Sequence, residues 1–207
     1  ILNEDNRTSI PHGKNPDFIG QDNNGTPSIT GRLGFKHRKI GEVGLSYYGG
    51  IYNTFKKEGL QIDDARWTSL AAFDYNLSIA NRLQVIGEVV YAHVDVPTSV
   101  GQQSGTDQIG FHIDLIGTLY KTKLWFWKNA SINLSMRVEY LDYNIGEFNG
   151  MGLKIYDEAV ALVFGLSFRF SPGTLLRLNY RYQWDWDILG NPPAQTGGIQ
   201  FGFATYF

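Results

Sequence analysis

The chain has 207 residues, of which 18% are charged and 14% aromatic, with 24 glycines and no cysteine. The absence of cysteine excludes a disulfide scaffold and a thiolate metal site. The formal net charge of −2 argues against a general nucleic-acid or anionic-surface binder. The longest apolar run is AVALVFGL at residues 159–166, whereas a membrane helix needs roughly 20 apolar residues. If this chain crosses a membrane, we expect it to do so with strands.

The hydrophobic pattern divides the chain into an arm and a series of strands. Residues 1–27 are rich in Asn, Asp, Gly and Pro and show no period, which predicts a loop or disordered arm. From residue 28 onward apolar and polar residues alternate with a period of two, which predicts strands. Nine strand-like segments cover approximately residues 28–38, 41–56, 65–80, 82–96, 107–121, 129–144, 156–171, 174–188 and 197–207.

The eighth segment shows this alternation most clearly. Its apolar positions are Leu176, Leu178, Tyr180, Tyr182, Trp184 and Trp186. The residues between them are Arg177, Asn179, Arg181, Gln183, Asp185 and Asp187. Because successive side chains of a strand point to opposite faces, each strand is predicted to carry one apolar and one polar face.

The connections between the predicted strands alternate in length. The short ones are HRKIGE, IANR and SPGT, with YKTKLWFWKN as a mid-length link on the same side. The long ones are KKEGLQIDDA, VPTSVGQQSGT, NIGEFNGMGLKI and ILGNPPAQTG. An antiparallel meander with short turns at one end and long loops at the other is the plan of an outer-membrane β-barrel.

The alternation leaves two orientations open, because a lipocalin-like soluble barrel turns its apolar face inward around a ligand. Three features favour an apolar face directed at lipid. The predicted strands are about 11 to 16 residues long, at or above the roughly 9–11 that cross a bilayer. The polar face carries little Lys, unlike a soluble surface. Aromatic residues lie near both strand ends, as in interfacial girdles: Trp67, Trp184 and Trp186 beside long loops, and Phe35, Phe168, Phe170 and Phe207 beside short turns.

Four stretches resemble the C-terminal half of the phosphate-selective porin O/P-like family. They are PSITGRLGF, GEVGLSYYGGIYN, QVIGEVVYAHVDV and LRLNYRYQWDWDILGN…GGIQFGFATYF, and the resemblance covers residues 27–207. It implies an integral β-barrel of the bacterial outer membrane, surrounded by outer-membrane lipid, whose terminal Phe207 is read by the barrel-insertion machinery. It also implies a homotrimer, or assembly with other outer-membrane chains, and no cofactor.

The function that follows from the resemblance is a water-filled channel for passive diffusion of small polar or anionic solutes. The alternative is a structural barrel that anchors or scaffolds a larger outer-membrane assembly and conducts little. Charged rings set selectivity in channels, and family members that select phosphate use basic residues lining the pore. The ten charged candidates for the lumen are Arg32, Lys36, Asp74, Glu88, Asp114, Arg137, Glu139, Arg169, Arg177 and Arg181. They do not match the family's phosphate motif residue by residue.

Other chemistry finds little support in the sequence. Asp185 and Asp187 lie on one face at the mouth of a long loop, but two carboxylates are too few for a calcium site. The four histidines have no partner at metal-ligand spacing. Aromatic and basic residues of segment eight lie on opposite faces, which argues against a nucleic-acid platform. We expect neither a metal site nor an enzyme.

The strand count predicts that the barrel continues beyond this segment. Nine strands would pair the last strand with the first in parallel, whereas bacterial barrels have even strand numbers and periplasmic termini. We therefore expect about seven more strands N-terminal to Ile1, giving roughly 16 in all by family resemblance, with residues 1–27 as an extracellular loop. The alternative is one overlooked or overcounted strand, near LWFW or in the arm, and a complete barrel of eight or ten strands.

Overall fold

The computed structural model describes residues 25–53, 55–57, 59–97, 105–124, 127–148, 152–171 and 173–206. The described residues form an all-β structure with one large sheet and one small hairpin. Within this part of the chain, no helical segment has the length and hydropathy needed to traverse a lipid bilayer. Residues 1–24, which make up most of the predicted arm, and the terminal Phe207 lie outside the described residues.

The large sheet contains nine strands in strict chain order, and every neighbouring pair is antiparallel. In chain order they are β1 (Ile29–His37), β2 (Gly41–Ile51), β5 (Trp67–Ala80), β6 (Leu83–Val94), β7 (Asp107–Leu124), β8 (Trp127–Asp142), β9 (Glu158–Ser171), β10 (Thr174–Asp185) and β11 (Ala194–Thr205). A separate hairpin of β3 (Lys56–Lys57) and β4 (Leu60–Gln61) lies in the connection between β2 and β5. The sequence pattern predicted only a long connection here, so this hairpin was not expected.

The predicted nine-stranded antiparallel meander is confirmed, and so is the alternation of connection length. The short connections follow β1, β5, β7 and β9, and the long ones follow β2, β6, β8 and β10. Some boundary predictions were wrong. The second segment, predicted to reach residue 56, ends at Ile51 as β2, and β7 and β8 extend into the stretch expected to be a mid-length link. Register shifts at 118/120 and 122/124 let the ladder continue as far as the pair Leu124 and Trp127.

The sheet is open, with β1 and β11 as its two edges. No pairing joins these two strands within the described residues, so they do not close into a barrel by themselves. The sequence predicted an open nine-strand segment of a larger barrel, and the alternative, a complete barrel formed by this chain, is not observed among the described residues. β1 and β11 are the first and the ninth strand of the sheet. Because direction reverses from each strand to the next, these two run in the same direction. Any strand-for-strand contact between them would therefore be parallel.

Cross-strand register gives the sheet an apolar face and a polar face. One apolar row runs through Leu134, Leu166, Leu178 and Phe201. The apolar face is uncovered: Leu178 is 49% exposed, and Phe201 at the edge is 72% exposed. Buried hydrophobic side chains are few in the described part of the chain, and Ile155 and Val94 among them lie near the long connections. Among the residues that the structure describes, no second layer of protein packs against either face of the sheet.

The long connections fold onto one another at their end of the sheet. The β8–β9 connection continues the ladder with a hydrogen bond from the Tyr143 amide to the Asp157 carbonyl (3.0 Å) and contains a bridge between Glu147 and Lys154. The Tyr156 amide donates to the Ile188 carbonyl in the β10–β11 connection at 3.1 Å. These two connections therefore form a shared cap beside β8–β10.

Candidate functional site: the polar face of the sheet

Every second residue of each strand lies on the polar face, and the cross-strand register aligns these residues over all nine strands. A central row contains Gly44, Asp74, Glu88, His112 and Glu139 as successive cross-strand partners. Directly opposite residues of neighbouring strands lie close enough for their side chains to interact. All ten charged residues singled out in the sequence lie on this one face by register.

Arg32 on edge strand β1 reaches across β2 to a carboxylate on β5. Its guanidinium donates to Asp74 at 2.7 and 3.2 Å and to Glu42 at 3.1 Å. The path passes over Gly44, where an added Cβ would collide with both the Arg32 and the Asp74 side chains. A glycine at this position therefore leaves space for an ion pair that spans three strands. Lys36 lies 3.9 Å from the other oxygen of Glu42.

A second network joins β7, β8 and β10. Arg137 forms a bidentate pair with Asp114, with both N–O distances at 2.6 Å, and also contacts Glu139 at 3.3 Å. Arg181 reaches over β9 to the other oxygen of Glu139 at 2.6 Å, passing the small residue Ala161, which faces Glu139 in the register. Bidentate guanidinium–carboxylate pairs hold their geometry better than single contacts.

Between these two networks lies a shallow cavity of about 310 Å³ on β2, β5, β6 and β7. Its lining includes Asp74, Asn76, Glu88 and His112. In the described structure Asp74 is held by Arg32, whereas Glu88 makes no ion pair. The acidic side chains of the polar face lie on β2 and β5–β8, apart from Asp185 at the end of β10, whereas its arginines lie on β8–β10, apart from Arg32 on β1.

The aromatic residues predicted as girdles divide between the two ends of the apolar face. Trp67 begins β5 and Trp184 lies near the end of β10, both beside long connections, and Trp186 follows β10 directly. Phe35, Phe168 and Phe170 lie at the short-turn end, and Phe207 is outside the described residues. Rings at each end touch edge to face, as in Tyr182–Trp184 (centroids 4.7 Å apart) and Phe168–Phe170 (4.4 Å).

The two carboxylates of DWD have separate partners. The Asp187 carboxylate accepts hydrogen bonds from the Leu189 amide (3.1 Å) and from the backbone and side chain of Asn191 (3.0 and 2.6 Å). Asp185 instead accepts from Gln183 at 2.7 Å. The Asn191 side chain and amide hold the pKa of Asp187 below its usual range. The Asp187 carboxylate therefore closes a turn, whereas the Asp185 carboxylate accepts a hydrogen bond from a side chain of its own strand.

The histidines are distributed over both faces. His112 lies on the polar face, whereas His93 lies on the apolar face, where its Nδ1 is 2.8 Å from Asp107 and Tyr91 also contacts that carboxylate. Within the described ranges, no group of three His, Asp or Glu side chains is arranged to hold a metal ion. His12 lies outside those ranges.

Two polar-face charges escaped the sequence analysis. Glu42 begins a strand beside a turn, where alternation is hard to assign, yet it is the shared partner of Arg32 and Lys36. Lys121 has the parity of the apolar face, but the register shift at 118/120 pairs it with Ser131 on the polar face. A β-bulge re-aims the residues that follow it.

Comparisons of this chain with protein-family models, with curated proteins and with solved structures found no match.

Proposed function

We propose that this chain forms part of the wall of a bacterial outer-membrane β-barrel, a water-filled channel through which small polar or anionic solutes diffuse passively. The observation that carries the proposal is the contrast between the faces. The apolar face presents large exposed hydrophobic side chains on strand after strand, including Leu33 at 81% exposure, with no protein layer over them. An apolar surface this extensive needs an apolar partner, and lipid is the one that a sheet of this shape meets in a barrel wall.

The height of the apolar band supports the same proposal. On β9 the apolar positions run from Val160 to Phe170. A strand rises about 3.3 Å per residue, and barrel strands tilt by roughly 40°. Ten residues then span about 25 Å along the membrane normal, which is the height of the apolar band in outer-membrane barrels. Aromatic residues at both ends of the face fit the two interfaces.

A channel requires that both edges of the sheet be paired, because unpaired backbone groups are costly in lipid. Since β1 and β11 run in the same direction, an all-antiparallel ring needs an odd number of further strands between them. Seven such strands would give the ring of roughly 16 expected from the family resemblance, a size that encloses an aqueous lumen. The further strands are part of the proposal.

The test is conductance of the full-length protein, purified from the membrane and reconstituted into a planar lipid bilayer in KCl. We expect stepwise increases in current as channels insert. Leu178→Arg is the matched control, because an arginine at the bilayer midplane on the lipid face costs roughly 2–4 kcal/mol and is expected to prevent insertion. Closed traces from wild-type protein that is fully inserted, as judged by protease protection in vesicles, would contradict the channel and favour the anchoring role.

A further inference from the structure

The polar face has a basic patch at the short-turn end of β7–β10. It consists of Lys121, Asn133, Ser167, Arg169 and Arg177, and it is separate from the two ion-pair networks. Arg177 lies four residues from Arg181 along β10, or about 13 Å of strand. The patch and the networks therefore occupy different levels of the same face.

The arginines of the ion-pair networks are neutralised by carboxylates at short distance. Arg32 contacts Asp74 at 2.7 Å, Arg137 contacts Asp114 at 2.6 Å, and Arg181 contacts Glu139 at 2.6 Å. A carboxylate at these distances largely cancels the electric field that the cation would exert on a passing ion. Arg169 in the patch is also engaged in interactions within the structure.

Arg177 differs from these arginines in its surroundings. Within the described part of the chain it forms no ion pair, and its side chain is exposed. Its direct cross-strand partners are Ser167 and Gly202, and Asn133 and Thr118 continue the same row. Among the described residues, the rows on either side of it carry no carboxylate. One row contains Ser78, Gln84, Ile116, Ser135, Gly165, Asn179 and Gln200, and the other contains Lys121, Ser131, Arg169, Leu175 and Ala204.

We propose that Arg177 is a specificity-determining residue of this wall, a cation that biases the channel toward small anions. An unneutralised charge on a low-dielectric wall concentrates counter-ions near it. The neighbouring Ser167 hydroxyl accepts a hydrogen bond from Asn133 at 3.4 Å, so its own proton can be donated to an anion. This inference rests on the proposed channel function. It separates Arg177 from the three arginines Arg32, Arg137 and Arg181, which act as paired wall residues.

The experiment measures the reversal potential of single channels across a KCl gradient. Arg177→Gln is expected to shift the reversal potential toward that of potassium, with the chloride-to-potassium permeability ratio falling at least about twofold, the effect of removing one unit charge near the ion path. Arg177→Lys keeps the charge and is expected to retain the wild-type ratio. Strand circular dichroism of each variant reports whether it has folded.

The matched control is the double variant Glu139→Gln with Arg181→Gln, which removes a neutral pair from the same face and is expected to leave the permeability ratio unchanged. An unchanged ratio in Arg177→Gln, or an equal shift in the double variant, would overturn the inference while leaving the channel itself established. Absence of current in the wild type would instead overturn the proposed function, and the inference with it.

Discussion

At the scale of single residues, close approach of side chains explains several glycines of the sheet. Gly87 on β6 pairs directly with Tyr75 on β5, and the tyrosine lies across the space that a Cβ would occupy. The backbone carbonyl of His112 is 2.7 Å from that same point. An aromatic ring that covers a cross-strand glycine replaces the contacts which the missing side chain would have made.

The crowding at Gly87 gives a prediction. Gly87→Ala is expected to destabilise the folded protein by about 1–3 kcal/mol, because the added methyl group overpacks the site against ring and backbone. The measurement is urea unfolding in lipid vesicles, followed by tryptophan fluorescence.

Gly31 is the matched control for this substitution. It lies on the same face in β1 with no atom within 4 Å of an added Cβ. Gly31→Ala is therefore expected to be neutral or slightly stabilising, by up to about 1 kcal/mol through the reduced entropy of the unfolded chain. Equal losses of stability in both variants would show that glycine flexibility, rather than the covering tyrosine, matters at position 87.

Alternation in the sequence was enough to assign most polar-face residues, because the period of a strand is two wherever the ladder is regular. It could not assign Lys121, whose face depends on a bulge in the pairing with β8. It also could not reveal which charges are paired. The contact of Arg181 with Glu139 crosses an intervening strand, and it depends on side-chain reach and on the small residue beneath it.

At the scale of the element, the β10–β11 connection illustrates how a loop is held by one carboxylate. Hydrogen bonds from Asn191 and from the Leu189 amide favour the charged form of Asp187, so its pKa is lowered from the ordinary value of 3.8. A carboxyl whose pKa is lowered on folding stabilises the fold above the unfolded pKa. That contribution is lost as the pH falls through the lowered folded value, so the turn is expected to stay intact at pH values above 3.8.

This turn can be tested by NMR titration of the Leu189 and Asn191 amide resonances in detergent micelles. The wild-type midpoint is expected below 3.8. Asn191→Ala, which removes the side-chain donor, is expected to move the midpoint upward, and Asp187→Asn is expected to abolish this titration. A wild-type midpoint at or above the ordinary carboxyl value would contradict the hydrogen-bonded geometry.

The sequence predicted all nine strands of the large sheet but not the structure of its long connections. Strand positions follow from local alternation, whereas the cap formed by the β8–β9 and β10–β11 connections depends on contacts distant in sequence. Tyr156, for example, packs against Gly190, whose φ of +72° places the loop backbone beside the ring. Such docking has no periodic signal that a sequence pattern could reveal.

At the scale of the whole molecule, the central claim concerns which face of the sheet meets lipid. The open edges and the two exposed faces of the described sheet fit a segment of barrel wall, with water on the charged side. A soluble barrel with the same strands would reverse the two environments, since its apolar face would be enclosed. The two readings make opposite predictions for neighbouring residues on a single strand.

The most direct measurement uses single cysteines, which the chain allows because it has none of its own. Nitroxide labels would be placed at the neighbouring pairs Leu134 and Ser135 on β8 and Leu178 and Asn179 on β10, in protein reconstituted into lipid vesicles. Frequent collision of a label with dissolved oxygen indicates that the label faces lipid. Frequent collision with a water-soluble nickel chelate indicates that it faces water. If the apolar face meets lipid, relaxation is expected to be dominated by oxygen at positions 134 and 178 and by the chelate at positions 135 and 179. The reverse pattern, or equal accessibility within each pair, would contradict the assignment of the apolar face to lipid.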